Sequence, residues 1–145
     1  MEYQIMGREV YLRIDRGEQV YGSIRMICEK LGITAGHFQG IGACDSATLS
    51  TYLPENREFT HHTLTGLLEM VSLMGNVSDD GEGKAFLHSH AVFSQLNKEG
   101  GIDVLAGHLE EATIRYTGEI ILTPAEGKIG RKPDTRTEID IWDLA

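Results

Sequence analysis

Cysteine and proline are scarce in this sequence. Its 145 residues include only two cysteines and three prolines. Cys28 and Cys44 lie far apart and belong to no Cys-x-x-Cys pair, which argues against a disulfide framework and against a thiolate metal site. We therefore interpret both as reduced, buried thiols, because Cys28 falls on the apolar stripe of a predicted helix.

Long hydrophobic runs are also missing. No apolar segment approaches the roughly 20 residues that a membrane span needs. The first residues lack the basic-then-apolar pattern of a signal peptide. These absences predict a cytoplasmic protein that has no membrane partner.

Basic residues are outnumbered, and this limits the possible partners. The chain has 13 Lys and Arg against 22 Asp and Glu, which gives a net charge of −9. Such a surface repels phosphate on average, so nucleic-acid binding would need a local basic patch or another polypeptide. With 41% hydrophobic and 24% charged residues, the composition is that of a globular protein. The length suits a single domain over residues 1–145.

Glycine, by contrast, is abundant. The 17 glycines lie between short apolar segments, and this spacing is typical of a β-rich fold. One segment differs, because apolar residues recur every three or four positions between Glu18 and Leu31 and predict an amphipathic helix that ends at Gly32. We predict an α+β fold in which this one main helix packs on a mostly antiparallel sheet.

Short alternating segments predict the strands of that sheet. They cover residues 9–15, 37–43, 47–52, 67–77, 85–95 and 137–142. We also predict a hairpin formed by residues 105–114 and 119–123 around a turn at Tyr116-Thr117-Gly118. The segment Ile129-Gly130-Arg131-Lys132-Pro133 is interpreted as a solvated loop.

Three histidines form the group with the clearest chemistry. Alternate side chains of a strand share a face, so His88 and His90 project together with their Cβ atoms roughly 6–7 Å apart. If the next strand returns alongside, His108 lies near this pair and completes a set of three nitrogen ligands. Such a set suits zinc and other transition metals and leaves a fourth coordination position open. Hydrogen-bonded histidines without a metal stay open as an alternative, because His-x-His alone is common.

Other polar residues are weaker candidates. Glu69, Glu110 and Glu111 are candidate hydrogen-bond partners of the imidazoles. At most one of the last two faces the site, because neighbours in a strand point in opposite directions. For the same reason the adjacent His61 and His62 cannot chelate one ion together, and we expect them in an exposed loop or at an edge.

Several motifs occur in an order that resembles a known family. In chain order they are Phe38-Gln39-Gly40-Ile41-Gly42-Ala43, residues 66–77, Leu87-His88-Ser89-His90-Ala91, Ala106-Gly107-His108-Leu109 and Thr117-Gly118-Glu119-Ile120-Ile121-Leu122. Together they resemble the PPC (plant and prokaryote conserved) domain. This domain follows the AT-hook in plant AT-hook nuclear-localised proteins and occurs alone in bacteria and archaea.

The resemblance carries expectations about assembly and function. It implies an α+β subunit that assembles as a homotrimer, a DNA-binding or DNA-binding-like role, and a histidine cluster that holds a metal ion, with zinc as the expected metal. His88 and His90 occupy the family's His-x-His motif, and His108 occupies its Gly-His-Leu motif. Leu67 stands where the plant motif has an arginine, which argues against a plant-type partner role.

Direct DNA binding is expected to be weak. Lys128, Arg131 and Lys132 form a basic cluster, but the segment lacks the first arginine of an AT-hook core. Acidic residues that follow closely would offset the cluster if they fold back alongside it.

Two functions fit these observations. The first, which we favour, is a binding module: a stand-alone homotrimeric PPC-type protein with a three-histidine zinc site, acting through partners or DNA. The alternative is a metal-dependent enzyme that uses the open coordination position at His88, His90 and His108. The sequence places no general base for that chemistry. A homotrimer whose histidines lie at subunit contacts without any ion is a third interpretation.

Overall fold

The computed structural model describes residues 1–144, which contain one helix and eight strands. Within this range, no helix combines the length and hydrophobicity needed to cross a membrane. The elements follow the order β1 (Glu2–Met6), β2 (Glu9–Asp15), α1 (Val20–Leu31), β3 (Gly36–Leu53), β4 (Glu58–Asp79), β5 (Ala85–Leu96), β6 (Ile102–Pro124), β7 (Gly130–Asp134) and β8 (Ile139–Asp143).

Six of these strands form one antiparallel sheet in the order β1-β2-β6-β3-β4-β5. Strand β5 also pairs with β6, so that β3, β4, β5 and β6 form a closed ring of paired strands. Strands β7 and β8 form a separate hairpin. The prediction of a mostly antiparallel α+β fold with one main helix is confirmed.

Helix α1 buries the predicted apolar stripe, which includes Val20, Ile24 and Ile27. It ends at Gly32, whose φ of 67° is the left-handed conformation that glycine adopts readily. The helix begins two residues later than predicted. The reason is that the carbonyl of Glu18 accepts a hydrogen bond of 2.9 Å from the backbone N–H of Ile114, which ties this residue to β6.

The helix covers one face of the sheet. The hydroxyls of Tyr21 on α1 and Ser89 on β5 form a hydrogen bond of 2.8 Å, and Phe38 and Phe93 are fully buried in the same core. Side chains alternate along a strand, so His88 and His90, the neighbours of Ser89, lie on the opposite face.

Strand β6 is continuous, and the predicted hairpin over residues 105–123 is wrong. Thr117 and Gly118 pair with Asp15 and Ile14 at the end of the β2–β6 ladder, and the β3–β6 register shifts between residues 114 and 118. Gly118 makes room for a side chain instead of forming a turn, because an added Cβ would lie 2.8 Å from Cδ1 of Ile114. Its partner in β3, Gly42, allows the two backbones to approach closely. A Cβ added at Gly42 of β3 would lie 2.6 Å from the carbonyl oxygen of Thr117.

Two further elements differ from the predictions. Strand β1 was not predicted, because it is an edge strand whose mostly exposed residues show no alternation. The loop predicted around Arg131 and Lys132 is the strand β7, which pairs with β8. An ion pair of 2.7 Å between Lys132 and Asp143 joins the two strands.

The C-terminal hairpin, residues 130–143, is attached to the sheet at two separated places. At its start, the backbone N–H of Asp79 donates to the carbonyl of Ile129 at 2.7 Å, and Lys128 forms an ion pair of 3.0 Å with the buried Asp79. At its turn, Glu138 forms an ion pair of 3.0 Å with Arg57, which lies in the turn between β3 and β4. The hairpin therefore spans a stretch of the sheet between these points.

Candidate metal centre

Three imidazole rings meet where β5 pairs with β6. His90 lies directly opposite His108 in the register of these strands, and His88 lies two residues from His90. The ring centroids are 5.5 Å apart for His88 and His90, 5.0 Å for His88 and His108, and 5.6 Å for His90 and His108. One nitrogen from each ring lies within 4.8 Å of the other two. The convergence predicted from the sequence is thus observed.

Local sequence explains this arrangement. Ser89 between the two histidines points into the core, where its hydroxyl bonds to Tyr21, and this fixes the outward direction of His88 and His90. Gly107 precedes His108, and a Cβ at Gly107 would lie 3.1 Å from the carbonyl oxygen of Ser50. Because Ser50 pairs with His108, the glycine lets β3 approach β6 closely beside the histidine cluster.

Two of the three rings, His88 and His108, favour the neutral form. Burial lowers the pKa of His88 below its ordinary value of 6.5, and the neighbouring charges of His108, His90 and Arg131 lower it further. Burial also lowers the pKa of His108; His90 acts in the same direction, whereas Glu110 opposes it. A neutral ring offers a nitrogen lone pair, which is the state that metal coordination requires.

Acid is expected to destabilise the metal-free protein through these rings. Because the pKa values of His88 and His108 are lower in the folded chain, the unfolded chain takes up protons first as the pH falls through 6.5. Stability is therefore lost from about pH 6.5 downward, and the loss ends below the folded-state pKa values. Urea unfolding of metal-free protein at a series of pH values measures this loss. The His88→Gln/His108→Gln double variant should lose less stability than the wild type, and equal losses would contradict the prediction.

A pocket of about 420 Å³ adjoins the cluster and shares His108 with it. In the strand register, His61 of β4 lies opposite Ser50 of β3, which in turn lies opposite His108 of β6. The imidazole Nδ1 of His61 lies 2.6 Å from Oε1 of Glu110. The lining is completed by Glu58 and Phe59.

The pocket contains a residue that the sequence did not link to the histidine cluster. His61 is exposed and lies where β4 pairs with β3 alone, which fits the predicted edge position, and it borders the candidate site. The strand register brings His61 to the site, because Ser50 pairs with both His61 and His108. The sequence of β4 alone does not show this pairing.

The three candidate carboxylates separate in the structure. Glu110 lies on the side of the histidines and binds His61. Glu111 instead accepts the backbone N–H of Tyr21 at 2.8 Å. Glu69 lines a different pocket, together with Tyr116. Glu110 is therefore the one of the three that borders the cluster.

Asn76 of β4 lies on the other side of the cluster and directly opposite His88. Its side-chain Oδ1 is buried and has no hydrogen-bond partner among residues 1–144. Near this end of the cluster, Arg131 of the C-terminal hairpin lies over the ring of Phe86. The Cζ atom of Arg131 is 4.3 Å from the ring centroid. The hairpin therefore borders the cluster at the end near His88.

Both cysteines are separate from this site. Cys28 and Cys44 are buried, free thiols. Burial raises the pKa of each to about 12. Neither forms a thiolate at neutral pH, which agrees with their interpretation as reduced core residues.

Most of the chain matches the model of a known family. The family model described as Plants and Prokaryotes Conserved (PCC) domain matches residues 1–126. No curated protein matches the chain.

Solved structures extend the likeness over almost the whole chain. A metal-containing protein of Archaeoglobus fulgidus is 32% identical with a TM-score of 0.83, and the match covers 97% of this chain and 96% of that one. A plant- and prokaryote-conserved (PPC) protein of Pyrococcus horikoshii is 31% identical with a TM-score of 0.81, covering 99% and 96%. A candidate DNA-binding protein of Bacteroides thetaiotaomicron has a TM-score of 0.90 but 24% identity, covering 99% and 96%. This last likeness shows a shared fold.

Proposed function

The chain belongs to the Plants and Prokaryotes Conserved domain family, as its motifs predict, and we propose that it is a metal-binding module. His88, His90 and His108 hold one divalent ion, with zinc as the expected metal. Three neutral nitrogen ligands leave a fourth position for a partner or a small ligand. The family relative from Archaeoglobus, which is called metal-containing, supports this proposal.

The convergence of the three rings is the observation that carries the proposal. Zinc–nitrogen bonds of about 2.0–2.1 Å at tetrahedral angles separate two bound nitrogens by roughly 3.4 Å. The three candidate nitrogens lie within 4.8 Å of one another, so modest ring rotations bring them to that spacing. Nitrogen donors alone also suit nickel, copper or iron, and zinc is the first metal to test.

Metal analysis of protein purified without a polyhistidine tag tests the proposal. We expect close to one metal ion per wild-type chain and none in the His88→Ala/His90→Ala/His108→Ala variant. A His61→Ala/His62→Ala variant is the matched control, because it also removes neighbouring imidazoles, and it should keep the metal. Equal metal content in the wild type and the triple variant would falsify the proposal.

We also propose that the module is a homotrimer, as the family resemblance implies. The sheet face opposite α1 carries an apolar groove of about 770 Å³, whose lining includes Ile41, Val71 and Met74. These three side chains are 56%, 54% and 64% exposed, and contiguous exposed apolar surface is typical of interaction sites. Met74 pairs with His90, so a neighbouring subunit seated in this groove would lie beside the histidine cluster.

Duplex DNA is expected to bind weakly to the isolated protein. In the basic cluster, Lys128 is paired with Asp79 and Lys132 with Asp143, and the net charge is −9. Fluorescence anisotropy with a labelled duplex measures the affinity for DNA at low and at physiological salt. A true phosphate-binding surface loses about 10³–10⁵ in affinity between about 50 and 200 mM salt. We expect little binding at either concentration, and tight binding with that steep loss would contradict the prediction.

A metal-dependent enzyme is the second candidate, favoured by the pocket beside His108. The His61–Glu110 pair in this pocket offers a polar group next to the proposed metal ligand. This candidate would be favoured by a catalytic activity that the wild type shows and that both the triple histidine variant and His61→Ala lack. Turnover unaffected by His61→Ala would count against a role for the pocket.

A further inference from the structure

We propose that Asn76 is a positioning residue of the histidine cluster. Its Oδ1 would accept a hydrogen bond from the ring nitrogen of His88 that does not bind the metal. This inference rests on the proposed metal-binding function and adds a residue that the sequence analysis did not single out.

The unpartnered oxygen of Asn76 is the first observation behind this assignment. Oδ1 is buried, and no donor reaches it in the part of the chain that the structure describes. A buried acceptor without a donor destabilises the fold, because it has lost its hydrogen bonds to water and gained none in exchange. Such groups are rare in native proteins, so each one calls for a specific explanation.

Register supplies the second observation. Asn76 of β4 lies opposite His88 of β5 in the antiparallel ladder. Side chains of directly opposite residues share a face, with Cβ atoms about 4.5–5.5 Å apart. Residues 1–144 provide no hydrogen-bond partner for His88, whose contacts are to the rings of His90 and His108. The unpartnered acceptor and the unpartnered imidazole are therefore neighbours.

Metal coordination explains why the two groups belong together. A neutral imidazole carries one N–H and one lone pair, so a ring that gives its lone pair to a metal keeps one N–H to donate. Histidine ligands almost always donate this N–H to an acceptor, which fixes the tautomer and the ring orientation. Asn76 is the acceptor that the fold places next to His88. The hydrogen bond forms when the His88 ring turns toward the ion.

The assignment is tested by zinc affinity in competition with a chromophoric chelator. The Asn76→Leu variant keeps the approximate size of the side chain but has no acceptor, and we expect it to bind zinc about 10–100-fold more weakly. Asn76→Asp keeps an acceptor oxygen and should stay near the wild-type affinity. Asn56→Leu is the matched control: it makes the same substitution at an exposed residue in the turn between β3 and β4. We expect it to leave zinc affinity unchanged.

A spectroscopic readout separates positioning from a structural effect. In ¹⁵N-labelled, zinc-loaded wild type, the His88 ring should show one N–H signal that exchanges slowly with water, and this signal should be lost in Asn76→Leu. A wild type that binds one zinc ion and an Asn76→Leu variant of equal affinity would overturn the positioning role alone. A wild type that binds no metal would overturn the proposed function and this inference with it.

Discussion

The Ile41→Glu variant is expected to be a monomer under conditions in which the wild type is a trimer. Ile41 is 56% exposed in the apolar groove, and association would bury its side chain. A carboxylate buried there without a partner costs several kcal/mol, and a symmetric trimer repeats that cost at each interface. Light scattering coupled to gel filtration gives the mass of both proteins directly.

A matched control is available on the opposite side of the molecule. Met26 of α1 is 58% exposed, almost the same fraction as Ile41, but it lies outside the groove. Met26→Glu should keep the mass of the wild type. If Ile41→Glu also keeps that mass, the groove is not the interface. A monomeric wild type would show that the homotrimer expectation is wrong for this chain.

The Gly75→Ala variant is expected to lose at least about 1–3 kcal/mol of unfolding free energy, the range for overpacked cores. A Cβ at this position would lie 2.4 Å from Cζ of Phe38 and 2.5 Å from Cβ of Ser89. Neither neighbour can yield easily, because both are almost completely buried. Denaturant unfolding measures the loss.

The same variant should also weaken zinc binding. Ser89 is the residue between His88 and His90, so a displacement of Ser89 moves both proposed ligands. Gly22→Ala is the control, because we expect it to raise the unfolding free energy instead of lowering it. Gly22 lies inside α1 with no atom closer than 3.4 Å to an added Cβ, and alanine there should stabilise the helix by about 0.5–1 kcal/mol. Equal effects of the two substitutions would contradict the packing argument.

Local patterns were sufficient for the helix and for the histidine cluster. The apolar stripe of α1 has a period that only a helix satisfies. The alternation of a strand places His88 and His90 on one face, and an antiparallel neighbour brings His108 to them. The three rings converge as this reasoning predicts, while their role as metal ligands stays a prediction.

The features that the sequence did not predict depend on pairing between distant strands. The turn predicted at Gly118 is wrong, because this glycine lies in a strand opposite Gly42 and leaves room for the side chain of Ile114. The sequence around Gly118 does not show which distant strand lies beside it. His61 reaches the pocket only because Ser50 pairs with both His61 and His108. The unpartnered oxygen of Asn76 is likewise a property of the assembled face and of no local motif.

The C-terminal hairpin begins beyond residue 126, where the family model ends, yet it borders the histidine cluster. No ladder of the main sheet includes its strands; side-chain ion pairs and a few backbone contacts attach it. A substitution in this hairpin consequently leaves intact the ladders that orient His88, His90 and His108. The fold thus separates the ladders that hold the imidazoles from an attached wall whose side chains can change what approaches them.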